Sequence, residues 1–217
     1  MLKPFRQLLL AACVIGAATA AVAGNVQVQV LDKDRQGVPG AVVILYPTAP
    51  VEKPVATNVT IEQKRMRFLP LVTVVAPGST LRFTNLDRWD HHIRGTSNAN
   101  PLSSTPPATD FELRLDGGKD GQPGGVETVT VTQPGAVLLG CHLHSSMRGH
   151  LFVTDSGYTL VTDENGIARF DRVPEGIAKL RVWHPEQLLE LPQRPLTVGN
   201  EALLEIVTLT VVPRRRR

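Results

Sequence analysis

Five of the six histidines in this 217-residue chain fall in two short stretches, Asp90-His91-His92-Ile93-Arg94-Gly95 and the segment from Gly140 to His150, and the second also carries Cys141 and Met147. His91, Cys141, His144 and Met147 together offer two imidazoles, a thiolate and a thioether. A soft, mixed set of this kind holds a single copper ion that exchanges one electron, because a trigonal imidazole–thiolate group with a long axial thioether suits both oxidation states. Cys141, His144 and Met147 stand at i, i+3 and i+6, so one short loop can turn all three toward one ion. The fourth donor must arrive on a separate, rigid strand edge, which is where the first stretch places His91.

Each residue also has a plainer reading. Cys-x-x-His alone is a fragment of many zinc sites, although zinc ordinarily takes four strong nitrogen or sulfur ligands and no thioether, and an empty structural cluster is the third alternative. Met147 is otherwise a gap-filling core residue, and Met66 reads as packing on a strand. Alternation along a strand sends His91 and His92 to opposite faces, so only one of them faces the ion, with His92 the alternative to His91. By the same alternation His142 turns away from the side that Cys141 faces. His150 reads as structural and His184 as a turn residue. Trp89 reads equally as an exposed docking aromatic or as a loop anchor.

The elements that must position these residues are β-strands. Val26, Val28 and Val30 alternate with Gln27 and Gln29, and a turn from Gly37 to Gly40 leads into the apolar run from Ala41 to Tyr46. The alternation and the turn predict a hairpin with a half-exposed first strand. A proline-spaced segment (47–54) precedes further strands from Val59 through Asn85. The Ser, Thr, Pro, Asn, Asp and Gly-rich stretch 95–125 reads as long loops around one short strand, 111–115. Strands follow at 126–131, 136–141 and 150–153, and turns at Asp163–Gly166 and Val173–Gly176 separate the later ones. Helical periodicity is almost absent. The class is all-β, and the length suits two sandwiches.

Residues 1–23 read as a signal peptide: a basic start (Lys3, Arg6), an apolar run, and Ala21-Val22-Ala23 before Gly24, with cleavage near Ala23/Gly24. That predicts a periplasmic or secreted protein. Leu10 to Cys13 mimics a lipoprotein box, but the apolar run continues past Cys13 where such a box should close it. Cleavage removes Cys13 and leaves Cys141 as the sole thiol of a chain in an oxidising compartment, for which metal ligation is the best explanation and an inert buried cysteine the plainer alternative. No later stretch approaches the roughly 20 apolar residues of a spanning helix. The formal charge of +3, with 23 basic and 20 acidic residues, argues against a nucleic-acid partner. Arg214 to Arg217 read as a solvated basic tail, with an acidic partner or membrane surface as the alternative.

Asn85, followed by His91-His92-Ile93, and Cys141-x-x-His144-x-x-Met147 resemble the cupredoxins, the blue copper superfamily of plastocyanin, azurin and amicyanin. The short second motif is amicyanin-like. The HH segment and Arg181-Val182-Trp183-His184-Pro185 also look like exported plastocyanin-like proteins labelled methylamine utilisation proteins. The resemblance implies a cupredoxin Greek-key β-sandwich over residues 56–155, one copper ion, and His91, Cys141, His144 and Met147 as its ligands. Residues 25–47 and the later Thr162 to Gly176 resemble a carboxypeptidase regulatory-like (transthyretin-like) sandwich. This implies a second, discontinuous sandwich from residues 24–55 and 156–213 into which the copper domain is inserted, with 214–217 as the tail. The function implied is a one-electron carrier between redox protein partners, not an enzyme, with His144 as the electron exit. Two alternatives stand beside it. One is a periplasmic copper-handling or delivery protein. The other is a copper oxidoreductase with a second metal, for which His142 beside Cys141 is a foothold.

Overall fold

Alternating apolar residues give many of the strands one buried face, and the described residues are all β. The computed structural model describes residues 23–97, 110–119 and 121–212. The segment read as a signal peptide, except Ala23, and the tail Arg214–Arg217 lie outside them. Among the described residues there are sixteen strands in four sheets and no helix. In chain order they are β1 (Ala23–Leu31), β2 (Val42–Pro47), β3 (Asn58–Gln63), β4 (Phe68–Leu69), β5 (Val72–Val75), β6 (Ser79–Asn85), β7 (His91–Ser97), β8 (Phe111–Leu115), β9 (Val126–Val131), β10 (Gly135–Cys141), β11 (Arg148–Val153), β12 (Tyr158–Val161), β13 (Ile167–Pro174), β14 (Gly176–Trp183), β15 (Arg194–Val198) and β16 (Leu203–Thr208).

Strands β3 to β11 form two facing sheets, one in the order β4-β3-β6-β9 and the other in the order β5-β11-β10-β7-β8. Two pairs are parallel, β3 with β6 and β5 with β11, and the second brings the last strand of this segment beside an early one. Between the sheets lies a core of Ile61, Phe68, Leu81, Phe83, Ile93, Leu115, Leu139 and Leu151 that also contains Cys141 and Met147. The remaining strands form the sheets β13-β1-β16 and β12-β2-β14-β15 around a separate core that includes Val28, Val43, Leu45, Phe170 and Leu180.

The hairpin expected from the first two strands does not form. β1 pairs with β13 and β16, whereas β2 pairs with β12 and β14, so the turn after β1 carries the chain across the core from one sheet to the other. The run Val42 to Leu45 explains the arch, because all four side chains are buried. Val43 and Leu45 face the inner core of their own sandwich. Val42 and Ile44 meet Val72, Ala136 and Phe152 on the outer face of the neighbouring sheet. A hairpin strand with one solvated face has no use for such a run.

Candidate metal centre

Three of the four sequence-predicted donors meet where strands end. Cys141 closes β10, and His91 opens the adjacent antiparallel β7, in which Ile93 is the partner of Cys141. The loop from His142 to Met147 joins β10 to β11, and a turn tightens it through the Met147 N–H donating to the His144 carbonyl at 2.9 Å. Cys141 Sγ lies 3.6 Å from His91 Nδ1 and 3.5 Å from His144 Nδ1. The two imidazole rings sit edge to face with centroids 5.0 Å apart. An ion about 2.0 Å from nitrogen and about 2.3 Å from sulfur, with ligand angles between tetrahedral and trigonal, separates the donors by about 3.5 to 3.7 Å. The donor set and its edges therefore fit a metal ion of that size. Met147, 1% exposed, is in the same buried cluster as Cys141.

His91 is 1% exposed, and its far nitrogen, Nε2, lies 3.0 Å from Asp87 Oδ2. The Asp87 carboxylate also accepts the Arg65 N–H at 2.6 Å and the Met66 N–H at 2.9 Å. Burial pushes its pKa up, but the Met66 and Arg65 amides and His91 outweigh that, and the carboxyl is held below the usual range. An ionised carboxylate accepts only, so Nε2 carries the proton and donates it to Asp87. Burial lowers the pKa of His91 against the opposing pull of Asp87, so the ring is neutral. Its Nδ1 lone pair then points at Cys141. That tautomer is the one a metal ligand needs.

Asn85 fixes the turn that carries Asp87. Fully buried at the end of β6, it donates through Nδ2 to the Trp89 and Asp116 carbonyls at 2.8 and 3.0 Å, and its Oδ1 accepts the Asp87 N–H at 2.9 Å. Sequence reasoning used Asn85 only as a spacing marker and missed Asp87 altogether. The available signal was a carboxylate four residues before His91, the separation that the hydrogen-bonded pair shows. Arg65 and Met66 have positive φ, 54° and 56°, which aims both amides at one carboxylate. Met66 is thus an exposed turn residue, 41% exposed, and not the strand-packing methionine expected.

The other histidines lie elsewhere. His92 and His142 sit on the opposite face of the sheet from Cys141, with rings 4.7 Å apart. His150 stands in a cleft between the two sandwiches, 6.2 Å from the Trp183 ring. His184 is in a turn, as expected, but buried: its carbonyl accepts the Gln187 N–H and its Nδ1 accepts the Glu186 N–H. Trp89 is 42% exposed and its ring lies 6.5 Å from that of His144, beside Leu143 at 59% exposure.

No family model matches the chain. No curated protein matches it either. Among solved structures it is similar to a copper-containing nitrite reductase from Thermus scotoductus SA-01, at a TM-score of 0.35 and 23% identity over 50% of this chain. The chain spans only 24% of that enzyme. It is similar to an oxidised amicyanin variant at a TM-score of 0.33 and 18% identity, over 49% of this chain and 97% of that one. A reduced auracyanin from Roseiflexus castenholzii gives 0.33 and 20%, over 46% and 98%. These solved neighbours are cupredoxins.

Proposed function

We propose that this chain is an exported cupredoxin that holds one copper ion through His91, Cys141, His144 and Met147 and carries single electrons between redox proteins. The observation that carries the reading is the convergence of His91 Nδ1, Cys141 Sγ and His144 Nδ1 within 4.8 Å of one another beside the buried Met147. When bound, the copper supplies one-electron redox chemistry at nearly constant geometry. The protein's part is to hold that geometry: two strand ends fix Cys141 and His91, Asp87 fixes the ring of His91, and the tight loop fixes His144.

His144 is the partly exposed member of the set, and Trp89 and Leu143 give its surroundings an apolar surface. A redox partner docking there meets His144 as the shortest way in. The outer sandwich, residues 24–55 and 156–213, supports the copper domain of residues 56–155 and adds surface for a partner. Export follows from residues 1–23, and the mature chain starts at Gly24, which mass spectrometry of the secreted protein checks. No helix among the described residues is long and apolar enough to cross a membrane.

Voltammetry of the copper-loaded mature protein tests the carrier reading against copper delivery. A reversible one-electron wave, with copper retained after many cycles and against a chelating acceptor, is the expected result. Ready surrender of the ion to the acceptor contradicts it.

A further inference from the structure

The alternation that sends His91 and Cys141 inward sends His92 and His142 outward. The same two dipeptides, His91-His92 and Cys141-His142, therefore present a pair of side chains on each face of one sheet. On the outer face the pair is held together by the backbone, where the His142 N–H donates to the His92 carbonyl at 2.9 Å. The next strand supplies a third group. In the β7–β8 register Arg94 faces Glu112 and His92 faces Arg114, so Glu112 lies diagonally beside His92 on that face.

Glu112 reaches both rings, with Oε2 3.5 Å from His92 Nε2 and Oε1 3.7 Å from His142 Nε2. The three donor atoms lie within 4.8 Å of one another. An ion about 2.1 Å from each of its ligands in a tetrahedral arrangement separates them by about 3.4 Å, close to the two nitrogen–oxygen separations, each of which is made by a different oxygen of Glu112. We propose that His92, Glu112 and His142 form a second metal site, distinct from the first. It takes a divalent first-row ion with affinity for imidazole and carboxylate, of the zinc(II) or copper(II) class, and leaves a fourth position open to water.

Arg94 is the competing partner, with Nε 3.6 Å from Glu112 Oε1 and both side chains 54% exposed. An exposed ion pair of that kind holds the carboxylate only weakly. The guanidinium is free to turn to solvent when an ion enters. The His92 side chain is 20% exposed and that of His142 43%, so the site is open to solution while the strands fix its spacing.

The test uses the copper-loaded, full-length mature protein titrated with zinc(II), a colourless and redox-inert probe, with binding followed by calorimetry and metal analysis. His142→Ala and Glu112→Gln are the diagnostic variants, since both side chains are exposed and neither belongs to the first site. The proposal expects one zinc equivalent beyond the copper. It expects each variant to bind that equivalent at least about tenfold more weakly, a conservative bound because loss of an outer partner alone costs that much. The visible copper band should be unchanged in both. No zinc equivalent at micromolar concentration, or one that both variants retain undiminished, overturns the proposal and leaves the copper reading untouched. A chain that never develops the copper band but takes up a zinc equivalent lost in both variants overturns the copper reading and supports the second site.

Discussion

His91 is a neutral ring in the folded protein because burial outweighs the attraction of Asp87, and the carboxylate decides which nitrogen faces Cys141. Asp87→Ala should therefore weaken copper retention about 10- to 100-fold, with competition against a chelator as the measurement. Asp87→Asn, which still accepts a hydrogen bond, should recover part of the loss. Met147→Leu separates the two readings of that methionine. The swap nearly conserves volume, so it should cost less than about 1.5 kcal/mol in folding stability. Losing the thioether removes electron density that favours oxidised copper, so the reduction potential should rise, as voltammetry would show. An unchanged potential would make Met147 ordinary core. The convergence of His91, Cys141 and His144 was legible because ligand chemistry restricts residue types and strand alternation restricts faces. Asp87 was not, because a carboxylate in a turn looks like any solvated turn residue until Arg65, Met66 and His91 are seen to converge on it.

β2 is where local pattern and tertiary structure part company. Its neighbours in sequence suggest a hairpin, yet both of its faces are buried, one in its own sandwich and one against Val72, Ala136 and Phe152. Ile44, fully buried in the second contact, should cost about 2 to 5 kcal/mol when cut to alanine, measured by chemical denaturation. Since Ile44 packs in a different buried cluster from the one that holds Cys141 and Met147, the copper spectrum of folded Ile44→Ala should match that of the wild type. Strand positions were largely readable from alternation and turn residues. Pairing was not, since period-2 alternation says which face is buried without saying which strand lies alongside. β15 escaped notice because Pro195 near its start reads as a strand breaker, whereas it lies in an edge strand, paired only with β14. Gly149 shows a further constraint hidden from composition: a Cβ there would stand 2.8 Å from the Cβ of Phe68, so β11 can pass beneath β4 only as glycine.

At the scale of the whole molecule, the two sandwiches meet along a cleft lined by Pro70, Leu71, His150, Thr162 and His184. Burial drives the pKa of His184 from 6.5 down to about 4, opposed only in part by Glu186. Its Nδ1 already accepts the Glu186 N–H, so protonation there also breaks a hydrogen bond. The unfolded chain binds this proton more readily than the folded one, so stability is fully present above about pH 6.5. It falls as the pH drops toward 4, by up to about 3 kcal/mol from this residue. In the metal-free protein His91 acts in the same direction. Denaturation across that range should show the loss, and His184→Gln should flatten it. The all-β class was legible from the lack of helical periodicity and the even spread of turns. The cleft was not, since His184 in a Trp-His-Pro segment resembles any exposed turn until the second sandwich covers it.

The most direct test of the copper site is the visible spectrum of the copper-loaded mature protein beside that of Cys141→Ser. An intense blue band arising from the thiolate–copper bond should appear in the first and vanish in the second, while circular dichroism shows the same β fold in both. A colourless copper complex, or a band that survives the loss of Cys141, would contradict the assignment.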